Sequence, residues 1–416
     1  MHMSNRFDRR SFMRISGSGV LAAGLAGPLT ACGGSESGSS GSNELVWWDY
    51  LVEEARQPGM KALIADIEKQ VGVKITRRTF PFAELEPAII KGAASGDLPD
   101  IAIVDNTSMN SFVPQGLLTD LTDRVKEWGQ SKAYYEGPWN SGVIDGKTYS
   151  VPNNSNCLCL YYNTEMLEAA GVEPPKTWDE LAEAAKKLTK GDTFGFAMSA
   201  IKTEEGVFQF EPFLWSTGGD LDTFGTDGAK ALGFLKELVD AGSLSKQCVG
   251  WTQQDANNQF VSGRAAMQIN GPWQLPALQD QTKVKWGVVP IPVDKEPASC
   301  LGGENWVILK TSGKADQCWE AIVRSQEKTV LAKYLDGLGL LPARSDMADA
   351  GKWATDPTLK VFVQEFANAR PRSYGANYPQ LSQAMAEALQ ASLTGSSSPQ
   401  SAARKAASAI TPKLQK

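Results

Sequence analysis

Residues 45–48 read LVWW and residues 99–104 read PDIAIV, and both short apolar runs predict buried strands. Between them, residues 60–71 carry apolar side chains at helical spacing and end before Gly72. Residues 73–79 alternate as a strand, and residues 85–94 read as a second helix. The order strand–helix–strand–helix–strand predicts a parallel sheet covered by helices on both faces, which is an α/β fold.

The rest of the chain continues with the same kinds of element and shows no internal repeat. Residues 394–404 are rich in Ser, Gly and Ala and are predicted to form a loop before a final short helix. The further predicted elements are strands over 157–162, 284–289 and 305–309, and helices over 178–188, 229–239, 315–327, 330–335, 358–369 and 380–393.

The N-terminus has the features of an export signal. A twin-arginine pair, Arg9-Arg10, is followed by a weakly apolar stretch over 15–29 that is too short to span a bilayer. The twin-arginine feature is typical of the Tat route. Leu29-Thr30-Ala31-Cys32 resembles a lipobox, so we expect a signal peptide over 1–31 and fatty acylation, such as palmitate, at Cys32. Gly- and Ser-rich residues then predict a flexible linker over 32–43.

Charge and missing residue types exclude several classes of function. The formal net charge is −6, and the segment before Cys32 holds four Arg and one Asp, so the rest is more acidic still. No basic cluster is present, which argues against a nucleic acid partner. The single histidine is His2, so residues 32–416 cannot form a His-based catalytic triad or a His-ligated metal site. We expect no metal and no cofactor.

Several ordered stretches resemble one family. They include GDLPDI at 96–101, GKTYSVP at 146–152, PPKTWDEL at 174–181, FVSGRAAM at 260–267 and NGPW at 270–273. Together with the N-terminal segment they resemble the extracellular solute-binding lipoproteins of ABC sugar importers, the maltose-binding-like proteins of bacterial extracellular solute-binding protein family 1. The resemblance extends from Leu45 to about Leu393.

The resemblance implies a two-lobe, periplasmic-binding-protein-like fold with a hinge and a ligand cleft between the lobes. Lobe 1 would comprise residues 44–154 plus 300–343, and lobe 2 residues 155–299 plus 344–416. The chain would cross between the lobes near 153–157, 298–302 and 341–345.

The resemblance also implies the function. The protein would capture a carbohydrate, for example a di- or oligosaccharide, and deliver it to the transmembrane subunits of an ABC permease by hinge closure. It would be a monomer without enzymatic activity. Only its lipid anchor would hold it at the outer face of the cytoplasmic membrane.

Sugar recognition needs aromatic faces for the C–H surface of a pyranose and planar polar groups for its hydroxyls. Strand ends and exposed turns are where such residues are expected in open α/β sheets. Trp273 after Gly271-Pro272 is the strongest aromatic candidate. The predicted ligand-binding residues are Trp48, Asp49, Tyr50, Glu84, Asp105, Asn106, Asn154, Asn156, Trp215, Trp273, Gly302, Gly303, Glu304 and Arg344.

Alternatives remain open. One alternative is a receptor for another solute, such as glycerol phosphate or a ferric ion bound through Tyr161 and Tyr162. A secreted glycosidase would need two acids facing each other, and Asp49, Glu84 and Glu304 are among those available.

Overall fold

The computed structural model describes residues 43–281, 283–348 and 351–414. The predicted signal peptide over 1–31, the lipidation site at Cys32 and the linker up to residue 42 lie outside the described residues. From Asn43 onward the chain forms one compact unit. No helix in the described part of the chain is both long and apolar enough to cross a membrane.

The strands of the described residues are mostly short. They are β1 (Glu44–Asp49), β2 (Lys74–Thr79), β3 (Ile101–Asp105), β4 (Val143–Ile144), β5 (Lys147–Thr148), β6 (Val151–Pro152), β7 (Cys159–Asn163), β8 (Met267–Asn270), β9 (Trp286–Val289), β10 (Ser299–Cys300), β11 (Glu304–Ile308) and β12 (Ala369–Arg370).

The helices carry most of the regular structure. They are α1 (Gln57–Val71), α2 (Phe82–Ser95), α3 (Met109–Phe112), α4 (Thr122–Trp128), α5 (Glu136–Asn140), α6 (Thr164–Ala170), α7 (Trp178–Leu188), α8 (Glu204–Ser216), α9 (Ala229–Asp240), α10 (Gln253–Val261), α11 (Leu275–Asp280), α12 (Ala315–Ser325), α13 (Lys328–Leu338), α14 (Ser345–Ala348), α15 (Gly351–Thr355), α16 (Pro357–Glu365), α17 (Tyr378–Thr394) and α18 (Pro399–Ile410).

The larger sheet has the strand order β2-β1-β3-β11-β6. Strands β1, β2 and β3 are parallel, which confirms the pattern predicted from residues 45–104. Strand β11 returns from much later in the chain and runs antiparallel to both β3 and β6, so the complete sheet is mixed. Because β11 is antiparallel, its N-terminal residue Glu304 lies opposite Asp105, the last residue of β3.

The smaller sheet has the order β8-β7-β9, with both pairings antiparallel. Two apolar clusters accompany the two sheets. The first includes Trp47 and Trp306, whose ring centroids lie 4.7 Å apart. The second includes Trp178 and Trp215 and is built around α8, α9 and α17. The first cluster also contains Tyr161 of β7, so apolar packing is continuous from the larger sheet to the smaller one.

The three segments named above as crossings are hydrogen-bonded to one another. The Ser155 amide donates to the Leu341 carbonyl at 3.0 Å, and the Asn156 amide donates to the Gly302 carbonyl at 3.1 Å. Backbone from three distant parts of the sequence therefore meets at one place, directly beside the start of β11.

Helix α8 was not predicted, and its burial explains why. All but the first two of its residues are buried, so its sequence has no polar face and no 3.6-residue alternation. It also contains Pro212, which normally argues against a helix interior. Helix α18 likewise begins at Pro399, inside the stretch predicted to be a loop, because Ser398 caps it by accepting from the Ser401 amide.

Cys157, Cys159, Cys248, Cys300 and Cys318 are all buried, and none forms a disulfide. Burial raises the pKa of the Cys248 thiol, and that of the Cys318 thiol, to about 12. These thiols behave as small apolar side chains.

Candidate functional site

A cavity of about 310 Å³ opens where both apolar clusters meet the crossing segments. Its lining comes from the loop after β1, the start of α2, the facing ends of β3 and β11, the first turns of α8 and α10, and the turn after β8. The lining residues are Tyr50, Val52, Glu53, Arg56, Pro81, Phe82, Ala83, Glu84, Asp105, Asn156, Ile201, Thr203, Glu204, Glu205, Phe208, Thr252, Gln253, Gln254, Trp273, Gln274, Gly302, Gly303, Glu304, Leu340 and Arg372.

Two aromatic pairs line the cavity. Tyr50 and Phe82 pack edge to face with centroids 4.8 Å apart, next to the larger sheet. Phe208 of α8 and Trp273 lie 6.1 Å apart, next to the second cluster. Trp273 is only partly buried and packs against both clusters. The cavity therefore has aromatic surface contributed by both parts of the molecule.

The Gly271-Pro272 turn seats the indole of Trp273. A β-carbon built on Gly271 would lie 1.8 Å from the Trp273 ring, so only glycine leaves space for the indole in this position. The ring consequently lies against the backbone of its own turn. This contact fixes one face of the indole and leaves the residue partly exposed in the cavity.

Gly302 and Gly303 serve the protein's own packing. A β-carbon on Gly302 would lie 2.1 Å from Asn156 Oδ1, and Gly303 has a φ of 137°, which favours glycine. These two residues bring the crossing segments close together at the floor of the cavity. The Asn156 side chain is thereby held in the lining, with its buried Oδ1 lacking a hydrogen-bond partner.

Glu304 is a buried carboxylate with one free oxygen. Its Oε1 accepts a hydrogen bond from the Tyr50 hydroxyl at 2.8 Å, while its Oε2 has no partner. Burial raises the pKa of Glu304, and the positive charge of Arg56 opposes that rise. An unpaired buried acceptor is costly, and a hydrogen-bond donor supplied by a ligand would offset that cost.

Arg372 lies between two parts of the cavity wall, the start of α8 and the end of β3. Its Nη1 contacts Glu204 of α8 at 2.5 Å, and its Nη2 donates to Asn106 Oδ1 at 3.0 Å. Nη2 also lies 3.6 Å from Asp105 Oδ1, and the guanidinium lies 4.7 Å from the Phe208 ring centroid. The guanidinium is buried, and its Nε has no partner.

Eight of the predicted residues line this cavity: Tyr50, Glu84, Asp105, Asn156, Trp273, Gly302, Gly303 and Glu304. The structure brings them together from six separate stretches of the sequence. The other six predicted residues do not line it, for reasons that differ from one to the next.

Trp48 and Asp49 are held within the larger sheet. Trp48 packs on Phe80 with Arg78 over its ring, because both faces of a covered sheet are apolar. Asp49 is fully buried, and both of its oxygens accept from the Arg77 guanidinium, at 2.6 and 2.7 Å. Neither side chain is available to a ligand in the cavity.

Trp215 and Arg344 also have partners elsewhere. Trp215 is fully buried in the second cluster, and its Nε1 lies 3.3 Å from an Asp220 oxygen. Arg344 forms a two-pronged ion pair with Asp346, with both contacts at 2.9 Å, over the ring of Tyr134. The guanidinium that was predicted to bind a ligand is therefore paired with the Asp346 carboxylate instead.

Asn106 and Asn154 lie just behind the lining. Asn106 supports Arg372 through the bond described above and lines a second, more polar cavity on the other side of that arginine. Asn154 donates to Asn153 Oδ1 at 2.7 Å and is almost fully buried. Both occupy supporting positions for groups that do reach the cavity.

Several lining residues were missed by the sequence analysis. Glu204, Glu205 and Phe208 belong to α8, the helix that lacked an amphipathic pattern. Arg372 lies in a Pro- and Gly-rich loop that carried no motif. Gln253 belongs to α10, and the usable signal there was the capping box Thr252–Asp255, which marks a helix start.

Comparisons with known proteins agree with this architecture. A maltooligosaccharide ABC transporter solute-binding lipoprotein from Streptococcus pneumoniae is 25% identical over 397 residues, covering 89% of this chain and 88% of the relative. A putative binding protein from Brucella abortus is 25% identical over 349 residues, covering 81% and 84% respectively.

Solved structures are similar over nearly the same span. An ABC transporter solute-binding protein from Thermotoga lettingae, bound with α-D-tagatose, gives a TM-score of 0.83 at 27% identity and covers 89% of this chain and 100% of its own. The GacH receptor of Streptomyces glaucescens, solved unliganded and with acarbose, gives 0.81 at 25% identity and covers 89% and 98%.

This chain therefore has the two-lobe fold of the periplasmic binding proteins. The model of the bacterial extracellular solute-binding protein family matches residues 62–361. That match spans well over half of the sequence, and the chain belongs to the bacterial extracellular solute-binding proteins.

Proposed function

We propose that this chain is the substrate-binding component of an ABC transporter and that it captures a carbohydrate, such as a di- or oligosaccharide, in the cavity around Trp273. The observation that carries the proposal is the combination, in one cavity lining, of two aromatic pairs with unpaired buried polar atoms. Trp273 and Phe208 offer surfaces for the C–H face of a pyranose, and Glu304 Oε2 and Asn156 Oδ1 await hydroxyl donors.

The relatives support a transported sugar as the ligand. The Streptococcus relative is named for a maltooligosaccharide transporter, and the Thermotoga structure holds tagatose. Tyr161, considered above for ferric ion, is fully buried, and its hydroxyl donates to the Gly271 carbonyl. That hydroxyl is already used to support the turn that carries Trp273.

Delivery would use a hinge made of the three bonded crossing segments. Lobe 1 would comprise 44–154 plus 300–343. In support of this assignment, β11 lies beside β3, and α12 and α13 pack on α1. Lobe 2 would comprise 155–299 plus 344–416, in which α17 packs on α8 and α9. Ligand would shift the equilibrium toward the closed form that the permease recognises.

The protein would act as a monomer, without catalysis, at the outer face of the cytoplasmic membrane. Export through the Tat route and acylation of Cys32 would place it there, as expected from residues 9–32. Relatives named as lipoproteins support this location.

A thermal-shift screen over mono- and oligosaccharides tests the proposal, since a ligand that binds only the native state raises the melting temperature. We expect at least one neutral saccharide to raise it. The bound saccharide should be recovered intact after incubation, and release of a cleaved product would indicate an enzyme instead. A screen in which no saccharide shifts the transition would contradict the proposal.

A further inference from the structure

The charges around the cavity are strongly unbalanced. Six carboxylates line it, from Glu53, Glu84, Asp105, Glu204, Glu205 and Glu304. Only two cationic side chains, Arg56 and Arg372, belong to the same lining. The lining therefore carries an excess of acidic groups, which act on a ligand more strongly in a partly enclosed cavity than in water.

Both arginines are already engaged with these acids. Arg56 Nη1 lies 3.0 Å from Glu53 Oε2, and Arg372 contacts Glu204 on one side and Asp105 on the other. The buried Nε–H of each arginine has no partner. An anionic ligand would thus meet two partly neutralised guanidiniums and several carboxylates.

The lining also contains unpaired acceptors, alongside the two arginine Nε–H groups and the Thr203 hydroxyl. Glu304 Oε2 and Asn156 Oδ1 are buried, lack partners and belong to residues that line the cavity. Glu84 is exposed at the rim and has no ion pair among the described residues. These acceptors require hydrogen-bond donors from the ligand, which hydroxyl and ammonium groups supply and carboxylate or phosphate groups do not.

We infer that the cavity selects saccharides rich in hydrogen-bond donors, either uncharged or bearing an amino group, and rejects saccharides that bear a carboxylate or a phosphate. This inference rests on the proposed carbohydrate function and specifies its ligand class. The partial or full burial of every one of these acids except Glu84 strengthens the selection, because an ammonium group pairs with such an acid whereas an anion adds to the repulsion.

The test uses disaccharides that differ in one substituent. Two series, one α-1,4-linked (maltose) and one β-1,4-linked (cellobiose), are each prepared in a neutral form, a 2-amino form and a uronate form. Calorimetry at pH 7 measures the Kd of each with the folded chain. We expect the uronate to bind at least tenfold more weakly than the neutral form, and the amino form to bind at least as tightly.

A variant assigns the effect to the cavity. Glu304→Gln keeps the shape of the side chain and removes its charge, so the ratio of amino to neutral affinity should fall at least fivefold. Glu183→Gln, at an exposed position on α7, should leave that ratio unchanged. High salt should also reduce the ratio in the unmodified chain.

The outcomes separate this inference from the function on which it rests. A uronate that binds within threefold of the neutral form, or more tightly, overturns the selectivity and leaves the carbohydrate function intact. If no form in either series binds while the wider screen finds a saccharide ligand, the inference is again overturned. If the wider screen finds none, the proposed function falls together with it.

Discussion

Two buried carboxylates lie at the same edge of the larger sheet and have opposite surroundings. Asp49 ends β1, and both of its oxygens are occupied by the Arg77 guanidinium. Glu304 begins β11, shares one oxygen with Tyr50 and leaves the other without a partner. A position at the end of a strand is enough to bring an acid near the cavity. Whether a ligand can bind that acid depends on whether one of its carboxylate oxygens still lacks a hydrogen-bond partner.

The largest expected effect is on the Asp49 side of this comparison. Asp49→Ala leaves the mostly buried Arg77 guanidinium without its counter-charge, with only Gln57 Oε1 and the Leu51 carbonyl as acceptors, so we expect the free energy of unfolding to fall by about 3–5 kcal/mol. Urea unfolding measures this change. Asp316→Ala is the matched control, because Asp316 is an exposed partner of Arg124, and should cost less than about 1 kcal/mol. If both variants lost the same free energy of unfolding, the buried ion pair of Asp49 would contribute no more than an exposed one.

Glu365 shows that an unpaired buried oxygen does not by itself mark a ligand site. Its Oε1 is buried without a partner, yet the residue does not line the cavity. Burial raises its pKa to about 7. Because the folded-state pKa lies above the unfolded value, the folded chain holds the proton more tightly, and stability should fall as the pH rises from about 4.5 through 7, by up to about 3 kcal/mol.

Glu365→Gln should remove the part of that pH dependence that Glu365 contributes, and it should be more stable than the unmodified chain at pH 8. Urea unfolding at pH 5 and pH 8 measures this, and saccharide affinity should stay unchanged. A variant that still loses the same stability between these pH values would show that another group is responsible.

Trp273→Ala tests the aromatic side of the cavity. We expect affinity for a saccharide found in the screen to fall at least tenfold, which is about 1.4 kcal/mol, without unfolding of the chain. Trp319 is another partly buried tryptophan, on α12 and outside the cavity lining, so Trp319→Ala should keep the original affinity. Unchanged affinity in Trp273→Ala would remove this residue from the site.

Gly271→Ala should give the smallest effect. The added β-carbon would overlap the indole of Trp273 and displace it, while the backbone φ of −106° remains accessible to alanine. We expect affinity to fall about threefold, measured by calorimetry with the same saccharide, and circular dichroism should show a folded chain. A loss as large as that of Trp273→Ala would mean that the indole has no alternative position in the cavity.

Much of the first sheet was readable from sequence because residues 45–104 carry simple apolar periods. The structure also brings Tyr50, Asp105 and Glu304, three of the predicted residues, to one region. Strand-end position alone did not show that Glu304 is available to a ligand and Asp49 is not, because Arg77, which binds both Asp49 oxygens, lies on a neighbouring strand. The wall formed by α8 was not readable, because a helix buried on all sides has no polar stripe. Arg372 carried no local signal at all, since its partners are distant in sequence.

The five buried thiols affect how the protein has to be handled when it is unfolded and refolded. While the chain is folded, oxidants cannot reach sulfur atoms that are buried and held as thiols. Once unfolded in air, the same chain exposes these five thiols, which can form non-native disulfides within or between molecules. Refolding yield should therefore depend on added reductant, even though the native fold contains no disulfide among its described cysteines.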